Sequence, residues 1–265
     1  MDAEIAQRLI DLNSQFYQSQ AESFSATRGR LQPGVLRVLE SLRGAVNILD
    51  LGCGNGSLAV ELEARDYQGQ YVGVDFSEEL LQLARLKVAR HKFDTNRSGA
   101  DVQRPMSKVK RSGGLEVHFM QADLYSPEWD SQLPINSYEI VFAFAVMHHI
   151  PGTAQRVRLL EQVRGLLAPG AHFIHSNWQF LNSARLRLRI QPWAAAGLSE
   201  AEVDEGDYLL DWRRDGGGLR YVHHFSEEEL AALAEESGFA AKETFYSDGE
   251  GGRLGLYQVW TPAAG

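Results

Sequence analysis

The sequence holds 265 residues, 44% of them hydrophobic, enough to bury one sizeable core and short enough for a single domain with additions. Cys53 is its only cysteine, which excludes an intramolecular disulfide framework and suits a reducing compartment. The net charge of −9 argues against a polyanionic partner for the body as a whole. No apolar run approaches the ~18 residues of a membrane span and no apolar signal core opens the chain, so a cytoplasmic protein with no membrane contact is expected.

Residues 1–45 read as an amphipathic helical cover. From residue 46 the pattern alternates strand and helix, the signature of a parallel sheet with covering helices. Strands are predicted over 46–51, 70–76, 116–122, 138–145 and 171–177, with helices over 57–65, 78–92 and 153–167. Ser77 is the predicted N-cap of the second helix, followed by Glu78 and Glu79 where the helix dipole favours acids. Pro169-Gly170 is the expected stop of the third.

Residues 94–114 are polar and without periodicity, which predicts an inserted loop between helix and strand. From Arg85 to Arg111 nine basic residues face only Asp94 and Asp101, making a positive island on an otherwise acidic chain. Residues 181–225 break the alternation and are expected to form a lid. "FSEEELAALAEESGF" then reads as a helix with capping-box spacing at Ser226 and Glu229, ended by Gly238. Strands near 240–246 and 254–260 flank "SDGEGGRLG", too short for a helical crossover, so the sheet should finish with an antiparallel hairpin. The expected fold is α/β: a Rossmann-like, mostly parallel seven-stranded sheet with an antiparallel last strand and helices on both faces. It forms one domain, 1–265: a helical cover to 45, a cofactor-binding core over 46–180 with the 94–114 insertion, the lid, and a C-terminal helix and hairpin over 226–265.

The most informative stretch is "NILDLGCGNGSLAVEL". A dinucleotide fingerprint spaces its glycines G-x-G-x-x-G; here Gly52, Gly54 and Gly56 bring the third glycine one residue early. Asp50 stands immediately before the turn, where a carboxylate repels a pyrophosphate and suits an ammonium or sulfonium group. Asp75, closing the second strand, can accept from two ribose hydroxyls. Asp123, after the third strand, can accept from an exocyclic amine, with Leu124 offering apolar surface to a base. The implied ligand has a cationic amino-acid end, a ribose and a purine but no phosphate, which is S-adenosylmethionine.

"LDLGCGNG", "GVDFS", "QADL" and "FAFAVMHHI" together resemble the ordered motifs of class I S-adenosylmethionine-dependent methyltransferases. The resemblance implies that Gly52, Cys53 and Gly54 line the methionine moiety and that Asp75 and Phe76 flank ribose and adenine. It further implies that Asp123 and Leu124 hold the adenine edge, and that Ala143, Phe144 and Ala145 pass close to the sulfonium. Asp50 would shape the backbone near the amino group, and Cys53 would be a small residue in a tight turn. In "FYQSQAESFSATRGR", Tyr17, Phe24 and Arg28 are spaced to lay a helix over the pocket, with Arg28 a bidentate partner for the cofactor carboxylate.

"RYVHHF" (220–225), with "FSATR" and "VMHHI", is similar to segments of the tRNA wobble-uridine carboxymethyl methyltransferases. The chain departs from their pattern at Trp212, which follows Asp211 in place of a proline, and in the 94–114 insertion. That resemblance implies a carboxylate acceptor, which is already anionic at pH 7 and needs no general base. Arg220 and His223 are then the candidates to hold it, with Tyr221 as a stacking face. The basic stretch 85–111 and Arg185, Arg187 and Arg189 are the candidate tRNA contacts, and a small zinc-binding activator subunit is a partner implied by the family. No metal-ligand spacing is present in the chain itself. Two alternatives stand: a small-molecule O- or N-methyltransferase, with His148 or His149 as base, and a non-catalytic cofactor-binding scaffold.

Overall fold

The structure, a computed structural model, describes residues 1–27, 30–42, 46–98, 114–134, 137–213 and 217–263, without the side chains of 21–27 and 95–98. Helices α1 (Ala3–Thr27) and α2 (Pro33–Ser41) lead into β1 (Ile48–Leu51), α3 (Ser57–Ala64), β2 (Gly69–Asp75), α4 (Glu78–Ser98), β3 (Leu115–Gln121) and β4 (Tyr138–Phe144). There follow α5 (Thr153–Leu166), β5 (Leu167–Trp178), the short α6 (Ala184–Arg187), β6 (Ile190–Gln191), β7 (Asp207–Trp212), β8 (Gly218–His223), α7 (Glu227–Glu236), β9 (Phe239–Ser247) and β10 (Gly255–Pro262).

Seven strands form the main sheet in the order β3-β2-β1-β4-β5-β10-β9. The first five run parallel, and β10 is antiparallel to both β5 and β9, as the short C-terminal connection required. Every residue of β1 is buried, the composition a central parallel strand needs because helices cover both its faces. Alternate residues build two cores. Leu49, Leu51, Val72, Val74, Val141 and Phe173 face α5 and α7, while Ile48, Tyr71, Ile140, Phe142 and Ile174 face α2, α3 and α4. Chain order reverses between β1 and β4, which leaves a crevice at their carboxyl ends.

Residues 181–225, expected as an irregular lid, contain their own antiparallel sheet, β6-β7-β8. Helix α1 lies against it through Ile5 and Leu9, which meet Leu209 and Tyr221. Asn13 adds a two-point lock on β8, its Oδ1 accepting from the Tyr221 N–H (2.8 Å) and its Nδ2 donating to the Tyr221 carbonyl (3.2 Å).

Helix α4 runs six residues past the predicted end, to Ser98, and the rest of the predicted insertion, 99–113, lies outside the described residues. So do Arg104, Lys108, Lys110 and Arg111 of the basic stretch. Ser77 caps α4 as predicted, its Oγ accepting from the Leu80 N–H at 3.2 Å. Ser226 likewise accepts from the Glu229 N–H at 3.0 Å. The reciprocal half of that capping box does not form, because the Glu229 carboxylate is drawn into a buried ionic cluster.

His223 sits at the centre of that cluster and is 1% exposed. Its Nδ1 meets Asp207 at 2.6 Å and its Nε2 meets Glu229 at 2.8 Å, so both ring nitrogens are engaged by carboxyl groups. Arg156 reaches Glu229 at 3.2 Å and Asp207 at 3.7 Å, and Tyr221 donates to Asp207 at 2.7 Å. Arg156, His223, Asp207 and Glu229 thus tie β7 and β8 of the small sheet to α5 and α7 of the main body. Removing one partner strands a buried charge. Asp207→Ala is expected to cost about 3–5 kcal/mol of unfolding free energy, read by denaturant titration.

Candidate active site

Two cavities meet at the carboxyl ends of β1 and β4. The smaller, of about 130 Å³, is lined by Tyr17, Gly52, Gly54, Asp75, Phe76, Asp123, Leu124, Phe144 and Ala145, with Asn13, Tyr125 and His149. The larger, of about 500 Å³, shares Gly52, Gly54, Leu80, Phe144, Ala145 and His149 with it, and adds Asp50, Cys53, His148, Trp178, Trp212 and Arg220.

The glycine turn explains the junction. Gly52 has φ +65°, and a Cβ there would strike Val146 Cγ2 at 2.5 Å. Gly54 has φ +55° and nothing within 4 Å of its Cβ position, so the backbone is bare on the cavity side and a ligand can approach it closely. Gly56 has a packing role: a Cβ there would meet Ala84 Cβ at 2.8 Å, so α3 and α4 come together only over a glycine.

Asp75 is 7% exposed. It accepts from the Gly54 N–H (2.9 Å) through Oδ2 and from the Ser77 N–H (3.0 Å) through Oδ1, which leaves one lone pair on each oxygen for a vicinal diol. Burial pushes its carboxyl above the usual range, and the backbone donors of Ser77, Gly54 and Phe76 oppose that rise. Phe76 meets the Tyr17 ring edge-on, with centroids 6.0 Å apart. Asp123 accepts from the Tyr125 N–H at 3.0 Å.

Asp50 is almost fully buried and accepts from the Tyr71 hydroxyl at 2.5 Å. Burial raises its carboxyl to about 7; the Tyr71 hydrogen bond opposes the rise and the Asp75 charge adds to it. Burial, with Asp75 and Asp50 nearby, also holds the Cys53 thiol well above its ordinary value, so Cys53 stays protonated and is no nucleophile. Ala145 adopts φ +59°, rare for a residue with a Cβ, and is held there by its N–H donating to Ser176, to the carbonyl at 3.0 Å and to Oγ at 3.1 Å.

The paired histidines have assignable tautomers. His149 Nδ1 faces the Tyr221 carbonyl at 3.3 Å, and a carbonyl only accepts, so the proton sits on Nδ1 and Nε2 accepts from the Tyr17 hydroxyl at 2.7 Å. His148 Nδ1 accepts from the Trp178 N–H at 3.3 Å, which places the proton of the neutral ring on Nε2. In these contacts the acceptor nitrogen of each ring is taken, His148 Nδ1 by the Trp178 N–H and His149 Nε2 by the Tyr17 hydroxyl. Arg220, 5% exposed, lies over Trp178 (4.7 Å), Trp212 (5.6 Å) and Phe16 (5.7 Å).

Several expected site residues stand elsewhere. His223 lines neither cavity, because its two nitrogens are spent on Asp207 and Glu229. Tyr221 is fully buried in the same cluster and presents no stacking face. Ala143 is buried and lines neither cavity; the strand's alternation turns Phe144 toward the ligand side instead. Arg187 is exposed and donates to the Leu181 carbonyl at 2.6 Å, whereas Arg185 and Arg189 line the larger cavity. Arg28 lies outside the described residues, as does the Phe24 side chain. Asn13 and Tyr125 were missed; Asn13 had a signal, since it falls one helical turn before Tyr17 on the same face.

A family model described as a methyltransferase domain matches residues 18–244. The chain belongs to that family. It is 28% identical over 245 residues to the trans-aconitate 2-methyltransferase of Azoarcus sp., covering 78% of this chain and 83% of that one. It is 25% identical over 162 residues to the tRNA (carboxymethyluridine(34)-5-O)-methyltransferase of Arabidopsis thaliana, covering 61% of this chain and 31% of that one. In fold it is similar to a SAM-dependent methyltransferase of Methanosarcina mazei, with a TM-score of 0.62, 22% identity and coverage of 89% and 99%.

This methyltransferase is an S-adenosylmethionine-dependent enzyme, and the residues present fit that cofactor: a glycine cradle open to the cavity and a carboxylate with lone pairs for a diol. When bound, the cofactor supplies an electrophilic methyl group on a sulfonium centre. Asp75→Ala and Gly54→Val are each expected to weaken S-adenosylmethionine binding more than tenfold in calorimetry while leaving a cooperative melting transition. Asp50 gives a pH dependence. Its raised carboxyl contributes stability that is whole below about pH 4 and lost as pH rises towards and through 7. A bound cation lowers that carboxyl again, so cofactor affinity should rise across the same window. Calorimetry near pH 6.5 in buffers of different protonation enthalpy should show proton release, absent in Asp50→Asn.

Proposed function

We propose that this methyltransferase esterifies a carboxylate. The observation that carries the reading is the pairing of Arg220 with two histidines whose acceptor nitrogens are already taken. A phenol or amine acceptor would need a base here, whereas a carboxylate arrives ionised, with a pKa of about 4. Arg220 lines the cavity stacked on aromatic faces, and a guanidinium is a planar fork of donors that matches two carboxylate oxygens. His148 lines the same cavity. With the acceptor so held, alignment of oxygen, methyl and sulfur at about 3 Å can supply roughly 7–11 kcal/mol of the barrier reduction.

Two acceptors fit. The carboxymethyl group of a tRNA wobble uridine is supported by "RYVHHF" and by the Arabidopsis relative; in that reading Arg185 and Arg189 meet phosphates, a zinc-binding activator subunit is a candidate partner, and the enzyme works in the cytoplasm. A free carboxylic acid is the second reading, supported by the Azoarcus relative of similar length and by the net charge of −9. Incubation with labelled S-adenosylmethionine and either total tRNA or trans-aconitate separates them; an RNA acceptor also predicts affinity that falls steeply with salt. No label in either would sink the carboxylate reading and leave the small-molecule O- or N-methyltransferase alternative. Arg220→Ala should lose at least a hundredfold in turnover while binding S-adenosylmethionine as the wild type does, measured by coupled assay and calorimetry.

A further inference from the structure

The larger cavity holds cations that take no part in holding the reacting carboxylate. Arg185 and Arg189 line it together with Arg220, yet methylation of a single carboxylate uses only Arg220. Arg185 stands in α6 and Arg189 two residues past its end, and both line the same cavity. Neither has a carboxylate within ion-pairing distance among the described residues, on a chain that carries 35 acidic residues.

Their backbone is anchored. Leu186, between them, is buried against Phe180, Leu210 and Val222, and Ser183 Oγ accepts from its N–H at 3.4 Å. The Arg189 carbonyl accepts from the Asp211 N–H at 2.9 Å, which ties the turn to β7. Two like charges held near each other in one cavity repel, and an anion between them relieves that repulsion.

We propose that Arg185 and Arg189 form a second anion subsite, so that the acceptor of this enzyme is a polyanion. One carboxylate sits at Arg220 and receives the methyl group; a further anionic group, carboxylate or phosphate, sits at Arg185 and Arg189 and sets specificity. This rests on the carboxylate reading above and adds which carboxylates are chosen.

Trp178 and Trp212 line the same cavity, so their fluorescence reports occupancy without turnover. With S-adenosylhomocysteine present, trans-aconitate (three carboxylates) is titrated against crotonate (one), and 5-carboxymethyluridine 5′-monophosphate against its nucleoside. The first pair asks for a second carboxylate and the second pair for a phosphate. At least one pair should show tighter binding of the polyanion by about tenfold or more at low salt. R185Q/R189Q should bring that ratio close to one, and R185K/R189K should restore most of it. Both positions are on the surface turn, and an unchanged melting temperature certifies the fold; the single variant R189Q serves if the double does not fold. Equal affinities in the wild type, or a ratio that R185Q/R189Q leaves intact, overturns the subsite. Discrimination in binding with no methyl transfer to any of the four compounds would instead overturn the carboxylate reading and leave the subsite standing.

Discussion

The site depends on one short-range constraint: Asp75, at the end of β2, accepts the N–H of Gly54 from the turn that ends β1. A buried carboxylate is costly without partners, and this one gains Gly54 on one side and Ser77 on the other. The same hydrogen bond holds the turn open at Gly54, where positive φ and the missing Cβ leave bare backbone facing the cavity. Strand register does the rest. Because β1 and β2 are paired in parallel from Ile48↔Tyr71 to Leu51↔Val74, both chains reach the crevice at the same level.

Asp50 carries the opposite logic. It has one strong donor, Tyr71, and burial raises its carboxyl to about 7, so a nearby cation favours its ionised form. Asp75 is thus a prepared hydrogen-bond acceptor, and Asp50 a group whose ionisation responds to the ligand. Asp50 stands two residues before, and Asp75 hydrogen-bonds to, a turn that resembles a phosphate loop in composition and differs from it in charge.

The small sheet closes the acceptor side. Its seat on the main body is a hydrogen-bonded quartet of Arg156, His223, Asp207 and Glu229, not apolar contact alone, and a quartet of this kind demands one geometry to satisfy all its partners. Arg220 extends from the strand that the quartet fixes, three residues before His223. The fixed backbone therefore places the guanidinium between Trp178 and Trp212. The histidine that looked catalytic is the one that holds this strand in place.

Local pattern sufficed for the parallel core: the strands, the capped helices, the antiparallel finish and the carboxylates that end β1 and β2 each depend on periodicity or a turn a few residues long. It also identified the cofactor, because that pocket is assembled from strand ends whose positions follow chain order. Residue type alone did not separate His148, His149 and His223, three similar histidines. One accepts from the Trp178 N–H, one is committed to Tyr17 and a carbonyl, and one is locked between two acids more than five residues away in sequence. Nor did it show that 181–225 folds as a sheet, since β6, β7 and β8 find their hydrogen bonds and their apolar partners across long stretches of chain. What a side chain can do was written in the sequence; which partner it faces, and so whether it binds, positions or merely braces, was settled only when distant segments were brought into contact.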